Sequence, residues 1–411
     1  MSDGQRASVD GLGPTDDWGR DLDILDRRFV DDPAAVWREL RDGCPVAFTE
    51  RRGRAWMPVR YDDVAAIAND TTHFSSRRVS VIDLPESQRE GRPLLTAPPI
   101  TSDPPDHTWA RRILLPAFSP HQIDVMTPIT RAVARELVDG FADLGQADAA
   151  RDYAQHIPVR VIAHMLGVPA SDEDKFTGWA VRILQEGFNE LQASLDAIIE
   201  VLQYFGVRID ERSAIAHEDR PDDLITLLLG TDVEGAPLDR KHLLGTCFLL
   251  LLAGIDTTWS ALGSSLWHLA THPDDQARLR AEPELLDSAI EEFLRFYSPV
   301  TMARYVTEDT EFNGCPMQEG DKILMAFPAG NHDPELFEDA DKFIIDRKRN
   351  RHFAFGSGIH RCLGSNLARM EIKVALEVFL ERVPTFTLSD PDAVTWTGGQ
   401  VRGPRQCHVT F

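Results

Sequence analysis

The chain of 411 residues carries 43 Lys and Arg against 66 Asp and Glu, a formal net charge of −23, with 43% hydrophobic and 27% charged residues. That balance belongs to a folded globular protein. It excludes a general nucleic-acid binder, whose phosphate contacts need clustered Lys and Arg. The five cysteines, Cys44, Cys247, Cys315, Cys362 and Cys407, are widely spaced and form no C-x-x-C. They give neither a disulfide framework nor a zinc site and suit a reducing compartment. No charged segment followed by an apolar core opens the chain, so no signal peptide is expected. The longest apolar run, 243–255, falls short of the about 20 residues that span a membrane. A cytoplasmic protein that neither enters a membrane nor binds nucleic acid is the expectation.

In chain order, a Gly/Asp-rich leader (1–20) is expected to be loosely ordered. Residues 34–41 read as a short helix, 46–50 and 55–59 as strands around a turn, and 61–69 as a helix. Residues 79–106 are proline-rich without a sustained period, which marks a lid or binding loop. Helical periodicity then dominates, over 107–118, 120–143, 153–166, 171–186, 192–213, 222–229, 239–271, 274–281 and 284–297. Strand-like runs at 301–307 and 322–326 precede an irregular stretch, 329–352, and a final helix near 363–382. The tail, 385–411, alternates polar and apolar residues between Gly/Pro turns. Length alone allows two or three domains, yet no linker divides the chain. The expected architecture is mainly α with small β sheets, in a single domain over 21–411.

The densest signal is Phe355-Gly356-Ser357-Gly358-Ile359-His360-Arg361-Cys362-Leu363-Gly364. Cys362 stands just before an amphipathic helix, whose positive end favours a thiolate. The glycines let backbone pass close to a large flat object, and His360 and Arg361 are placed to pair with carboxylates on it. A thiolate buried in this way suits a haem that cleaves O–O bonds. The segment resembles the haem-binding signature of the cytochrome P-450 family, F-G-x-G-x-[HR]-x-C-x-G, at every fixed position. The resemblance implies the P-450 fold, with haem b (iron protoporphyrin IX) between the long central helix and the Cys362 loop. Phe355 would then lie in the cofactor site.

Upstream segments follow the family's order over about 30–411. Ala253-Gly254-Ile255-Asp256-Thr257-Thr258 interrupts an apolar helix with a small pair, an acid and two hydroxyls. A buried carboxylate costs several kcal/mol unless solvated or paired. Either the helix opens locally there, or it breaks and Asp256 and Thr257 cap a new one. The segment resembles the family's [AG]-G-x-[DE]-T, which implies that Thr257 hydrogen-bonds dioxygen and Asp256 feeds it protons through water. Glu292 and Arg295, at i and i+3 on a helix, resemble the family's E-x-x-R, and Arg347 resembles its third partner. The role implied for these three is a structural network. His107 and Arg111, one helical turn apart, together with Arg304 and His360, match positions that grip haem propionates.

The resemblance implies a soluble bacterial-type monooxygenase that inserts one oxygen atom of O2 into a substrate. The sequence holds no dinucleotide fingerprint and no Cys cluster for an iron–sulfur centre, so no fused reductase is expected. Electrons would come from a ferredoxin-type iron–sulfur protein served by an NAD(P)H ferredoxin reductase. A basic spot of Arg347, Lys348, Arg349 and Arg351, with Arg361 and Arg112, would receive that partner. By position Leu249, Leu252, Ala253, Val300 and Met302 would line the substrate pocket, with Leu94, Leu95 or Ile100 from the lid and Phe188. This uncharged wall fits a small or medium apolar substrate such as a terpenoid, a steroid-like ring system or an aromatic, bound by a monomer. Two other functions compete: a haem-thiolate peroxygenase or isomerase/dehydratase without external reductant, and a non-catalytic haem-based binding or sensing protein. The Asp256–Thr257 pair disfavours both.

Overall fold

The computed structural model describes residues 13–81, 95–188 and 190–411, with backbone alone at Phe188. The first half forms strands β1 (Val46–Thr49) and β2 (Ala55–Pro58), helix α1 (Tyr61–Asn69), strand β3 (Phe74–Ser75), helices α2 (Asp106–Leu114) and α3 (Pro120–Asp139), and strand β4 (Gln146–Asp148). Helices α4 (His156–Leu166), α5 (Glu173–Leu184), α6 (Leu191–Ser213), α7 (Arg240–Thr271) and α8 (Leu286–Phe296) follow. Strands β5 (Met302–Val306) and β6 (Lys322–Met325) lead to helix α9 (Ser365–Arg382). Strands β7 (Thr387–Leu388), β8 (Gly403–Gln406) and β9 (His408–Thr410) close the chain. The protein is mainly α with small sheets, and the helices fall where the 3.6-residue pattern placed them.

Most differences sit at helix ends, and Arg27–Asp31 and Phe327–Asn331 are short helices outside the expected elements. The helix expected over 120–143 stops at Asp139, and Ala142–Leu144 continues as a separate 3-10 turn. A π-helix, Ala149–Ala154, precedes α4. Its start is held by the Asp148 carboxylate, which accepts from the N–H groups of Ala150 and Arg151. Of the expected leader, residues 1–12 lie outside the described residues. Residues 13–20 are anchored: Thr15 N–H donates to Asp26 Oδ2 at 2.9 Å, and Trp18 is buried.

Contacts divide the chain into two compact units. One takes the described residues 13–81 with Glu291–Cys362 and Trp396–Arg402. Its five-stranded sheet has the order β1-β2-β6-β5-β3. Only β2–β6 is parallel, pairing Ala55 with Lys322; the other pairs are antiparallel, with Met302 opposite Met325 and Val306 opposite Phe74. Val46, Trp56, Ile67, Phe74, Ile323 and Phe353 form an apolar cluster on it. The stretch 329–352 is largely irregular and hangs on Arg295, whose guanidinium donates to the carbonyls of Asn331, Ala340 and Lys342, each at 2.8 Å.

The other unit takes Pro93–Ile290 as far as described, Leu363–Thr395 and Gly403–Phe411. Helix α7 is its axis and packs on α4, α5, α6, α9 and β8. Asp239 caps it by accepting from His242 N–H at 2.7 Å. A Cβ at Gly254 would come within 3.1 Å of Ile162, so α4 and α7 approach too closely there for a larger residue. By length and apolarity α7 could cross a membrane, but 72% of its apolar window is buried inside the fold, as in a core helix. A second sheet joins β7, β9 and β4, all antiparallel.

Candidate functional site

The cysteine loop belongs to the first unit and is shaped by backbone hydrogen bonds. Cys362 N–H donates to the Phe355 carbonyl at 2.7 Å, and Gly356 N–H to the Phe353 carbonyl at 2.8 Å. Gly358 adopts φ +68°, and a Cβ there would lie 2.3 Å from the Ala68 carbonyl oxygen on α1. Any side chain would push the loop off that helix. Phe355 is buried and His360 half-buried in a short 3-10 turn. Cys362 is exposed. The described residues fold the loop tightly around Cys362.

The same unit carries the ion triad and four exposed loop cations. Glu292 and Arg295 are both fully buried, and Arg295 donates to both Glu292 oxygens at 2.8 Å. Arg347 Nε lies 3.0 and 3.1 Å from the same oxygens, with Ile344 N–H at 2.8 Å and Asn350 Nδ2 at 3.1 Å. Arg304, on β5, is 4% exposed. Val300 and Met302 are half-buried, whereas Lys348, Arg349, Arg351 and Arg361 are exposed.

In the second unit α7 runs unbroken through Asp256, so neither a helix break nor a local opening occurs there. Thr257 donates its hydroxyl to the Ala253 carbonyl at 2.8 Å. The helix is buried on most sides, yet Ala253 is exposed and Leu249, Gly254 and Thr257 are half-buried. These residues recur at i, i+4 and i+8 and open one stripe of an otherwise enclosed helix. Leu252 is 4% exposed and packs on the enclosed side, outside that stripe. On α2, His107 is buried and Arg111 half-buried one turn later, while Arg112 is exposed. Leu95 and Ile100 are half-buried. Leu94 and the Phe188 side chain lie outside what is described.

Asp256 is 0% exposed. Its Oδ1 lies 2.8 Å from Arg405 Nη2 and accepts from Gln185 Nε2 at 2.9 Å. Oδ2, also buried, has no hydrogen-bond partner among the described residues. Burial pushes the carboxyl pKa up, against the opposing pull of the Arg405 cation and the Gln185 hydrogen bond. Two residues on, Thr258 hydrogen-bonds Glu371 of α9, a carboxyl that burial pushes up to about 8.

Sequence reasoning missed Gln185, Arg405 and Glu371. Glu371 was within reach, since it stands four residues from Leu367 and from Ala375 on the buried face of α9. Arg405 was not, because strand register decides which face of the alternating tail turns inward.

A family model described as Cytochrome P450 matches residues 176–395. The chain is 34% identical over 364 residues to the mycinamicin IV hydroxylase/epoxidase of Micromonospora griseorubida, covering 87% of this chain and 89% of that protein. It is 34% identical over 367 residues to the vitamin D(3) 25-hydroxylase of Pseudonocardia autotrophica, covering 88% and 89%. Among solved structures it superposes with a TM-score of 0.83 and 32% identity on CYP109E1 from Bacillus megaterium in complex with testosterone, covering 92% of this chain and 97% of that one.

Proposed function

The chain belongs to the cytochrome P450 family, and we propose that this haem-dependent monooxygenase hydroxylates a small or medium apolar ring compound. In that reaction one oxygen atom of O2 enters a C–H bond, and the other leaves as water with two electrons and two protons. The residues present fit the cofactor. Cys362 stands exposed on a loop that glycine holds in place. Buried Arg304 and His107 are groups that need carboxylates or other polar partners. When bound, haem supplies dioxygen activation at an iron held by thiolate.

The chain's own contributions follow from its chemistry. Cys362 would hold the iron, its thiolate favoured by the helix that follows it in sequence. His107, Arg111, Arg304 and His360 would hold the propionates, and Phe355 would lie in the cofactor site. Asp256 takes protons from water and passes them on at a carboxyl oxygen, and Thr257 orients their delivery with its hydroxyl. Leu249, Ala253, Val300 and Met302 form the apolar wall. Relatives named for vitamin D(3) and mycinamicin IV, and a similar structure holding testosterone, support a substrate of this class.

Lys348, Arg349, Arg351 and Arg361 give an acidic protein an exposed basic spot, which supports an acidic ferredoxin as electron donor. Residues 21–411 are read as one haem domain acting as a monomer in the cytoplasm.

The observation that carries this reading is the Cys362 loop. The reduced, CO-bound holoenzyme is expected to show the Soret band of thiolate-ligated haem, and a band at the histidine-ligated position removes Cys362 as the ligand. Titrating apolar compounds against the ferric spin state then identifies the substrate.

A further inference from the structure

The Asp256 carboxyl is held asymmetrically. The Gln185 amide donates to Oδ1 and the Arg405 cation pairs with it, and Oδ2 has no hydrogen-bond partner among the described residues. The cation responsible comes from the far end of the sequence. Arg405 lies on β8, which presses so tightly on α7 that a Cβ at Gly403 would fall 2.4 Å from Ser260 Cβ. The guanidinium stacks over the Trp259 ring at 4.3 Å and donates from Nη1 to Ser260 Oγ at 3.1 Å. Its contact with Asp256 is Coulombic and poorly aligned, since Nε and Nη2 make no hydrogen bond among the described residues. Trp259 and Ser260, about one turn of α7 beyond Asp256, thus clamp the arginine, and the arginine in turn clamps the acid.

We propose that Arg405, with Gln185, is a positioning residue that occupies Asp256 Oδ1 and reserves Oδ2 as the oxygen that takes and gives protons. The proposal rests on Asp256 being the proton carrier of the preceding section. A carboxyl free to rotate in a buried site would offer either oxygen in many directions. Pinning one oxygen leaves a single direction for transfer and saves the reorientation at each turnover. The cation also keeps the buried acid able to ionise, against the desolvation that opposes it. The proton enters and leaves at Oδ2 alone, and Arg405 loses none.

The experiment uses the holoenzyme with dioxygen as the only oxidant, a surrogate ferredoxin and reductase as electron source, and no organic substrate. Dioxygen uptake is followed in H2O and in D2O. Asp256→Asn is expected to slow uptake by at least about tenfold, as loss of a general acid does, and to raise the solvent isotope effect, because proton delivery then limits the rate. Arg405→Met is expected to slow it to the same level, the double variant no further, and Arg405→Lys to recover at least half of the loss. Thermal melting supplies a readout independent of turnover. The double variant should lose less than the sum of the two single losses, because neither partner then stays buried alone.

The outcomes separate the two claims. Wild-type uptake in Asp256→Asn removes Asp256 as proton carrier and this inference with it. A slowed Asp256→Asn beside a wild-type rate in Arg405→Met overturns the role of Arg405 alone, as does additive slowing or additive loss of melting temperature. Should Arg405→Met fail to retain haem, Gln185→Leu removes the other Oδ1 donor at a half-buried helix end. A fall of about two- to fivefold is expected there, in line with loss of one orienting hydrogen bond, and an unchanged rate overturns the proposal.

Discussion

Glu292 and Asp256 are both fully buried carboxyl groups that face arginine, yet they are coordinated differently. Around Glu292, Arg295 and Arg347 bring three guanidinium nitrogens, and Ile344 N–H and Asn350 add two more donors shared over both oxygens. Around Asp256, two donors share one oxygen and the second has none among the described residues. A carboxylate saturated over both oxygens serves to fix chain, here the irregular stretch after Asn331. A half-saturated one costs stability. The incomplete shell is what the proton carrier proposed above requires.

Breaking the saturated side should have the largest effect. Glu292→Gln leaves Arg295 and Arg347 buried without an anion, and removing one member of such a network costs about 3–5 kcal/mol. Urea denaturation of the holoenzyme should show that loss together with haem release. A cost under about 1 kcal/mol would place these groups among ordinary surface pairs.

Glu371 sharpens the contrast, because it is a third buried carboxyl and its one hydrogen-bond partner of note is the Thr258 hydroxyl. Burial raises its folded-state value from the ordinary 4.5 to about 8. The folded state therefore holds this proton where the unfolded state has released it. The stability it contributes is fully present below about pH 4.5, falls as the pH rises and is gone above about pH 8. Glu371→Gln should flatten that decline by an amount on the order of 1–3 kcal/mol, measured as denaturation free energies at pH 5 and pH 8.5. An unaltered slope would show that the carboxyl is already ionised in the fold.

How far the sequence could be read follows from the same residues. The helices, the cysteine loop and the Glu292/Arg295 spacing were legible because each is a local pattern, three or four residues apart or a run of fixed glycines. Even Arg347 could be paired with them, by the family's order of motifs. The asymmetric shell of Asp256 was not legible. Its donors, Gln185 and Arg405, stand 71 and about 150 residues away along the chain, and only tertiary packing turns them toward α7. Likewise the continuity of α7 at Asp256 was open in sequence, since a buried acid argues for a break until its cation is seen.

Thr257→Ala should have the smallest effect on stability and the clearest effect on chemistry. Its hydroxyl bonds the Ala253 carbonyl at 2.8 Å within the helix, an oxygen already able to accept from the helix backbone, so its loss should cost less than about 1 kcal/mol. Alanine is also the better helix former, which offsets part of that cost. On the open stripe of α7, however, this is the only hydroxyl beside Ala253 and Gly254 among the described residues. With a substrate identified by the spin-state titration, the variant should consume NAD(P)H while product falls and hydrogen peroxide rises. The two measurements together locate Thr257: a large stability loss would move it to the structural side with Glu292, and an unchanged peroxide share would take it out of proton delivery. A stable protein with diverted electrons would place it beside Asp256, among groups whose bonds are kept weak enough to be exchanged.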